Sequence, residues 1–187
     1  MPPKIKITKE DIVQTALSLV REGGEGAINA RSIAEAMACS TQPIFSNFAG
    51  IGELRAAVAD AGYALYLDFI SREVAGGKYP TYKAMGMAYI RFAREEKELF
   101  KLLFMRDRTN EALDPAADFL SAVDMITKAN GVSREVAERM HLEMWACVHG
   151  IGTMLATAFL PLDEEFVSDM LSDVYQGLRT KHGEEGN

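Results

Sequence analysis

The sequence has only two cysteines, Cys39 and Cys147, so it lacks the disulfide framework of a small secreted domain. Its first residues, MPPKIKITKED, lack the apolar core of a signal peptide. Met144–Leu160 carries no Asp, Glu, Lys or Arg over 17 residues, but a membrane span needs about 20 apolar residues. We therefore expect a cytoplasmic protein without a membrane partner, in which this segment forms a buried interface helix.

The sequence also lacks a recognisable catalytic motif, such as a nucleophile elbow or a phosphate-binding glycine loop. His141, Trp145 and His149 recur at four-residue spacing on one predicted helical face. Histidines on one face can bind zinc, but no third ligand stands at a suitable spacing. We therefore predict a protein that is not an enzyme and that has no metal and no cofactor.

Positive charge is scarce in this sequence, whose formal net charge is −7. The first 55 residues contain six cations and six anions, so the remaining 132 residues carry the whole excess of negative charge. This asymmetry has the sign expected of a nucleic-acid-binding region at the N-terminus, although no strongly basic patch is present.

Apolar residues recur at three- and four-residue spacing along most of the chain, and no segment alternates as a strand does. The sequence therefore predicts an all-α fold of about nine helices. Residues 1–52 form a three-helix domain containing a helix-turn-helix, and residues 53–187 form a helical bundle for ligand binding and dimerisation. A long helix over Leu54–Val74 leads from the first domain into the second.

Several helix ends are indicated by local signals. The sequence predicts helix starts capped by Thr8, Asn29 and Ser133, and it places Pro43 in the first turn of a helix. The last two helices are predicted to end at about Phe159 and near Arg179.

The segment Arg31–Phe48 has the pattern of two short helices joined by a tight turn. Ile33, Ile44 and Phe48 are predicted to point inward, and Ser40 is predicted to cap the second helix. Two helices connected in this way can place the second helix in the major groove of DNA.

The order of residues in this region, R-x-I-A-x-x-M, a turn with Ser, then P-I-F-x-x-F, resembles the N-terminal domain of TetR-family transcriptional regulators over Thr8–Leu54. In such a domain, Gln and Asn pair with adenine edges, and Thr and Ser bond bases or phosphates. The resemblance implies a DNA-binding set of Arg31, Ser32, Ser40, Thr41, Gln42, Pro43, Phe45, Ser46 and Asn47.

The sequence departs from the family pattern at four positions in or just after this set. Phe45 stands where family members usually have Tyr, and Asn47 stands where they have His. Ala49 and Ile51 occupy positions that often carry phosphate-binding Lys. Each lost phosphate contact weakens binding and flattens its salt dependence. The alternative to a DNA-binding regulator is therefore a helical ligand-binding dimer whose helix-turn-helix binds DNA weakly or no longer binds it.

The second half resembles the ligand-binding domain of a TetR subgroup named for a Trp-His-Gly motif. Arg91-Phe92-Ala93, Leu99-Phe100 and Trp145-x-x-x-His149-Gly150 carry this resemblance. We predict a ligand pocket lined by Phe100, Phe104, Met105, Met144, Trp145 and His149. No charged residue stands out as a counter-ion, so an apolar or aromatic effector is expected.

Small residues in the uncharged helix and apolar residues in the last helix indicate a two-fold four-helix interface. The predicted dimer interface consists of Gly150, Gly152, Ala156, Val167, Met170, Leu171 and Val174. Together these features predict a homodimeric regulator that binds a double-stranded DNA operator. The protein is expected to be a repressor released by a small-molecule effector.

Overall fold

The computed structural model describes residues 7–107 and 117–183, and these ranges contain nine α-helices and no strand. The prediction of an all-α fold with about nine helices is confirmed. The helices are α1 (Lys9–Gly23), α2 (Ala30–Ala36), α3 (Gln42–Asn47), α4 (Ile51–Gly76), α5 (Thr81–Glu95), α6 (Lys97–Phe104), α7 (Ala117–Asn130), α8 (Arg134–Ala156) and α9 (Glu164–Gly183), with a short 3-10 helix at Glu25–Ala27.

Three of the predicted helix starts are confirmed by hydrogen bonds. Thr8 forms a reciprocal capping box with Asp11, and the Asn29 side chain accepts from the Ser32 amide. Ser133 caps α8. Each bond satisfies an amide that the first turn of a helix leaves unpaired.

The prediction that Ser40 caps the second helix of the pair is wrong. The residue that precedes α3 is Thr41, which has a helical backbone conformation and makes no capping side-chain bond. Pro43 lies in the first turn of α3, as predicted, where its missing N–H leaves no intrahelical bond unmade.

The described helices fall into two compact units. The first comprises the chain up to Asp68 together with Glu96–Arg106, and the second comprises Phe69–Glu95 and the chain from Asp107 onward. The grouping of α6 with the N-terminal helices was not foreseen from the sequence. The functional division into residues 1–52 and 53–187 stays a prediction.

In the first unit, α1 packs against α2, α3 and α6. Five apolar side chains of α1 are buried, as are Leu99 and Phe100 of α6. Arg21 near the end of α1 forms a two-bond ion pair with Glu96, whose side chain is only 9% exposed. This pair ties the C-terminal end of α1 to the start of α6.

In the second unit, α5 packs along α8, and α8 also contacts α7 and α9. Two ion pairs also lie within this unit. Arg91 Nη1 lies 2.7 Å from the buried carboxylate of Glu73, and Lys78 Nζ lies 2.7 Å from Glu164 Oε1. Lys78 lowers the pKa of Glu164. None of the helices in the described ranges is both long enough and apolar enough to cross a membrane.

The last two helices differ from their predicted lengths. Helix α8 ends at Ala156, three residues before the predicted end at Phe159, because Ala158 adopts a left-handed conformation with φ of 54°. Helix α9 continues to Gly183, beyond the predicted end near Arg179.

Candidate nucleic-acid interface

Helices α2 and α3 form a helix-turn-helix within the first unit, and three buried side chains anchor it there. Ile33 of α2, Ile44 of α3 and Phe48 just after α3 are each at most 2% exposed. Their burial fixes which face of α3 is turned inward. The opposite face of this six-residue helix is therefore presented to solvent.

The nine predicted DNA-binding residues lie within one short stretch around this exposed face. Six of them are exposed and three are half-buried in the structure. The exposed residues are Arg31, Ser40, Thr41, Gln42, Phe45 and Ser46, and the half-buried residues are Ser32, Pro43 and Asn47. The structure thus leaves most of the predicted set accessible to a partner.

Two polar side chains of α3 are engaged with the backbone of their own helix. Ser46 Oγ donates to the Gln42 carbonyl at 2.9 Å, and Asn47 Nδ2 donates to the Pro43 carbonyl at 2.8 Å. Such bonds to the carbonyl four residues earlier reduce the donors available to a ligand.

A carboxylate that the sequence analysis did not single out connects α1 with the end of the helix-turn-helix. Glu53 accepts from Lys9 Nζ and from the Ala49 amide, both at 2.7 Å. These two bonds, the one from Lys9 foremost, lower the pKa of Glu53. Residues 9 and 53 are far apart in sequence, so no local pattern could have revealed the pair.

The cations of the first unit are mostly paired within the protein. Lys9 pairs with Glu53, Arg21 with Glu96, and Arg55 with Glu25 at 3.3 Å. Arg31 is exposed at the start of α2 and has no carboxylate partner among the described residues. It is therefore the cation of the helix-turn-helix that is best placed to meet a phosphate.

The six predicted pocket residues are divided between the two units. Phe100, Phe104 and Met105 belong to the first unit, where the rings of Phe100 and Phe104 lie 5.3 Å apart and Met105 is 40% exposed. The other three belong to the second unit and stand on α8. Whether these six residues line one ligand pocket stays a prediction.

On α8, Met144 is buried, but Trp145 is 48% exposed and stacks in parallel on His149 at a centroid distance of 5.0 Å. His149 Nδ1 lies 2.8 Å from the Tyr89 hydroxyl of α5. Partial burial lowers the pKa of His149. Because Trp145 lies on the outward side of the helix, its ring is accessible to solvent.

A second pair of the same kind lies two turns earlier along the same two helices. His141 Nδ1 lies 2.9 Å from the Tyr82 hydroxyl, and the ring of Phe119 contacts His141 edge-on. Burial lowers the pKa of His141 and raises that of Tyr82. In the described ranges, no three His, Cys, Asp or Glu side chains are arranged to hold a metal ion.

The predicted dimer-interface residues differ in exposure. Gly152, Ala156, Val167 and Leu171 are buried within a single chain, whereas Gly150, Met170 and Val174 are partly exposed. Five large apolar side chains outside the predicted interface are 44–78% exposed: Leu142, Trp145, Phe159, Leu160 and Phe166.

A surface depression of about 240 Å³ lies in the second unit. It is lined by residues from α7, α8 and α9 and by the segment between α7 and α8. None of the six predicted pocket residues belongs to its lining, which consists of Asn130, Val132, Met140, Gln176, Arg179 and Thr180.

The fold and the exposed face of α3 define the class of this protein as an all-helical protein with a helix-turn-helix near its N-terminus. Residues 82–174 match the family model described as "Tetracyclin repressor-like, C-terminal domain". This part of the chain is therefore similar to the C-terminal domain of TetR-family proteins, in agreement with the family predicted from the sequence.

One solved structure resembles the chain over nearly its full length. It is titled "Structure of a protein with unknown function from Rhodococcus sp. RHA1", and it matches with a TM-score of 0.72 over 98% of this chain and 100% of that chain. At 19% identity the similarity establishes the fold alone. No curated protein matches the sequence.

Proposed function

We propose that this chain is a homodimeric transcriptional regulator of the TetR family that binds double-stranded DNA through α3. The observation that carries the proposal is the orientation of α3: Ile44 and Phe48, the residue that follows the helix, are buried, while Gln42, Phe45 and Ser46 face solvent. A surface helix that keeps polar, hydrogen-bonding side chains outward beside a supporting helix suits insertion into a major groove.

The match of residues 82–174 to a tetracycline-repressor-like C-terminal domain supports the same function from an independent part of the chain. In a regulator of this kind, the C-terminal domain binds the effector and dimerises. We further propose that the protein is a cytoplasmic repressor without catalytic activity, and that an apolar or aromatic effector releases it from its operator.

The dimer is proposed to form through α8 and α9. On α8, Leu142 and Trp145 stand three residues apart and are exposed, Gly150 is partly exposed, and Phe166 and Met170 are accessible on α9. Burying such side chains against a second copy removes apolar surface from water. Of the predicted interface, Val167 and Leu171 would support this surface from within the protomer.

The effector is proposed to act by changing the equilibrium between two arrangements of the dimer. Helix α4 runs without interruption from Ile51 to Gly76, so it connects the chain that follows the helix-turn-helix with residues of the second unit. A ligand that favours a different tilt of α4 would change the spacing of two α3 helices. Binding to half-sites one helical turn apart would then be lost.

The second candidate is a helical ligand-binding dimer whose helix-turn-helix binds DNA weakly or no longer binds it. The observation that favours it is the charge of the reading region: no Lys or Arg lies between Arg31 and Arg55, and Lys9 and Arg55 are paired with carboxylates. Phosphate contacts supply much of the affinity of DNA-binding proteins.

A fluorescence-anisotropy titration with DNA that flanks the protein's own gene separates these candidates. Regulation predicts specific binding that Gln42→Ala abolishes, whereas Gln176→Ala, an exposed glutamine of α9, leaves it unchanged. Arg31→Ala is expected to reduce the slope of log affinity against log salt by about one for each protomer. Binding that is weak, fades with salt and responds to none of these substitutions would favour the second candidate.

A further inference from the structure

The reading face of α3 differs from that of a typical major-groove helix in having no positive charge. Between Arg31 and Arg55 the chain contains neither Lys nor Arg. The commonest specific contact in the major groove is an Arg or Lys side chain bonded to guanine O6 and N7. Helix α3 has no side chain that can make this contact.

Of the two carboxamides on α3, that of Gln42 is the more available for base contacts. Asn47 is half-buried and donates one of its two amide hydrogens to the Pro43 carbonyl. Gln42 makes no side-chain hydrogen bond to another described residue, and it is exposed in the first turn of α3. A carboxamide can donate to adenine N7 and accept from adenine N6 at the same time, which gives a two-bond contact to A·T pairs.

Phe45, the exposed apolar side chain on the same face, also favours A·T pairs. Phe45 stands three residues after Gln42, so both side chains lie on one side of the helix, and its ring is 56% exposed. An exposed Phe in a reading helix has nothing to bond on guanine or cytosine. It gains by burying the C5-methyl group of thymine, the one apolar group on the major-groove edge.

We infer that α3 reads A·T base pairs, with Gln42 bonding an adenine and Phe45 covering the methyl group of a neighbouring thymine. This inference rests on the proposed function, because it names the class of operator that the same surface recognises. Ser46 donates its hydroxyl hydrogen to the Gln42 carbonyl, so it can offer a base only an acceptor, which the amino groups of adenine and cytosine satisfy alike. Arg31, at the start of α2, supplies a phosphate contact that carries no sequence preference.

The sizes of the expected effects follow from these contacts. A two-bond contact from a carboxamide discriminates against the wrong base pair by about 5- to 100-fold. Removing one thymine methyl group, by replacing thymidine with deoxyuridine, loses about fourfold in affinity. The deoxyuridine effect depends on the Phe45 ring and is expected to vanish in Phe45→Ala.

The test selects binding sites from a random-sequence duplex pool with the full-length protein, and then measures affinities for the selected site and its single-pair variants. The same measurements are made with Gln42→Ala, Phe45→Ala and Gln42→Lys. Gln176→Ala serves as the matched control for a surface glutamine, and circular dichroism checks that each variant keeps its helices. The three substituted side chains, Gln42, Phe45 and Gln176, are exposed, so the fold is not expected to depend on them.

The inference is supported if the wild-type protein selects A·T pairs at positions where Gln42→Ala loses discrimination. Support also requires a deoxyuridine effect that Phe45→Ala removes, and a shift of Gln42→Lys toward G·C at its position. A selected site with G·C at the Gln42-dependent positions, or one indifferent to deoxyuridine, overturns the inference but leaves DNA-binding regulation standing. A pool from which no sequence is enriched overturns the proposed function itself, and the inference with it.

Discussion

The partly buried ion pair between Arg21 and Glu96 offers the sharpest test of how the first unit is stabilised. Arg21→Met would leave the Glu96 carboxylate, 9% exposed, without its guanidinium partner. Breaking a fully buried pair in this way costs about 3–5 kcal/mol. Arg21 itself is 50% exposed, so water can enter the vacated site. We therefore expect a smaller loss in the free energy of unfolding, about 2–3 kcal/mol.

Substitution of the acidic partner, Glu96, should lower the free energy of unfolding by a smaller amount. Glu96→Gln leaves a half-exposed guanidinium that water can solvate, and the amide oxygen retains one of the two hydrogen bonds. We expect a loss of about 1 kcal/mol. The double variant Arg21→Met with Glu96→Met removes both charges, so it should be more stable than Arg21→Met alone.

Urea denaturation at neutral pH and fixed protein concentration measures these differences. With a slope of about 2 kcal/mol per molar urea, Arg21→Met should lower the midpoint by about 1–1.5 M. The matched control is Arg55→Met, because Arg55 and Glu25 form an exposed pair in the same unit, with both side chains 48% exposed. Its loss should be below about 1 kcal/mol. The reasoning is refuted if the two Arg variants lose equal stability, or if the double variant is the least stable of all.

Four further predictions concern the histidines of α8, the emission of Trp145, the cap of α2 and a glycine of α4. Because burial lowers the pKa values of folded His141 and His149 below 6.5, the unfolded chain takes up protons first as the pH falls. Stability should therefore be full above about pH 6.5 and decrease below it, and urea midpoints measured in steps of pH would contradict this if they stayed constant. Trp145 is the sole tryptophan and stacks on His149, so its emission should be quenched as the imidazole is protonated, with a midpoint below 6.5. The titration should disappear in His149→Gln and persist in His141→Gln. Asn29→Ala should lose about 1 kcal/mol, because the Ser32 amide loses its cap; a thermal melt identical to wild type would argue against this role. Gly62→Ala should gain about 0.5–1 kcal/mol, since an added Cβ would meet Leu99 and Leu103 only at 3.7 Å, and a lowered urea midpoint would show that this space is closed.

Much of the fold could be predicted from the sequence because its signals are local. The spacing of apolar residues predicted helices along the chain, and Thr8, Asn29 and Ser133 marked helix starts that the structure confirms. A capping bond joins residues three apart, so the residue types suffice to predict it. Ser40 shows the limit of this method, since the turn before α3 placed Thr41 at the cap position instead.

For the candidate interface, the sequence by itself determined which residues α3 carries and which face of the helix is apolar. The buried Ile44 and the exposed Gln42 and Phe45 agree with the face predicted from helical spacing. The lack of Lys and Arg on α3, from which the A·T preference is inferred, is likewise a property of the sequence alone.

Only the tertiary structure decided how distant residues pair and which apolar side chains are exposed. The bond between Lys9 and Glu53, which removes a cation from the reading region, joins residues 44 apart. Trp145 was predicted to line a pocket, but about half of its surface is exposed, whereas Val167 and Leu171 of the predicted interface are buried in their own chain. Periodicity identifies the apolar face of a helix, but the neighbouring helices decide which part of that face they cover.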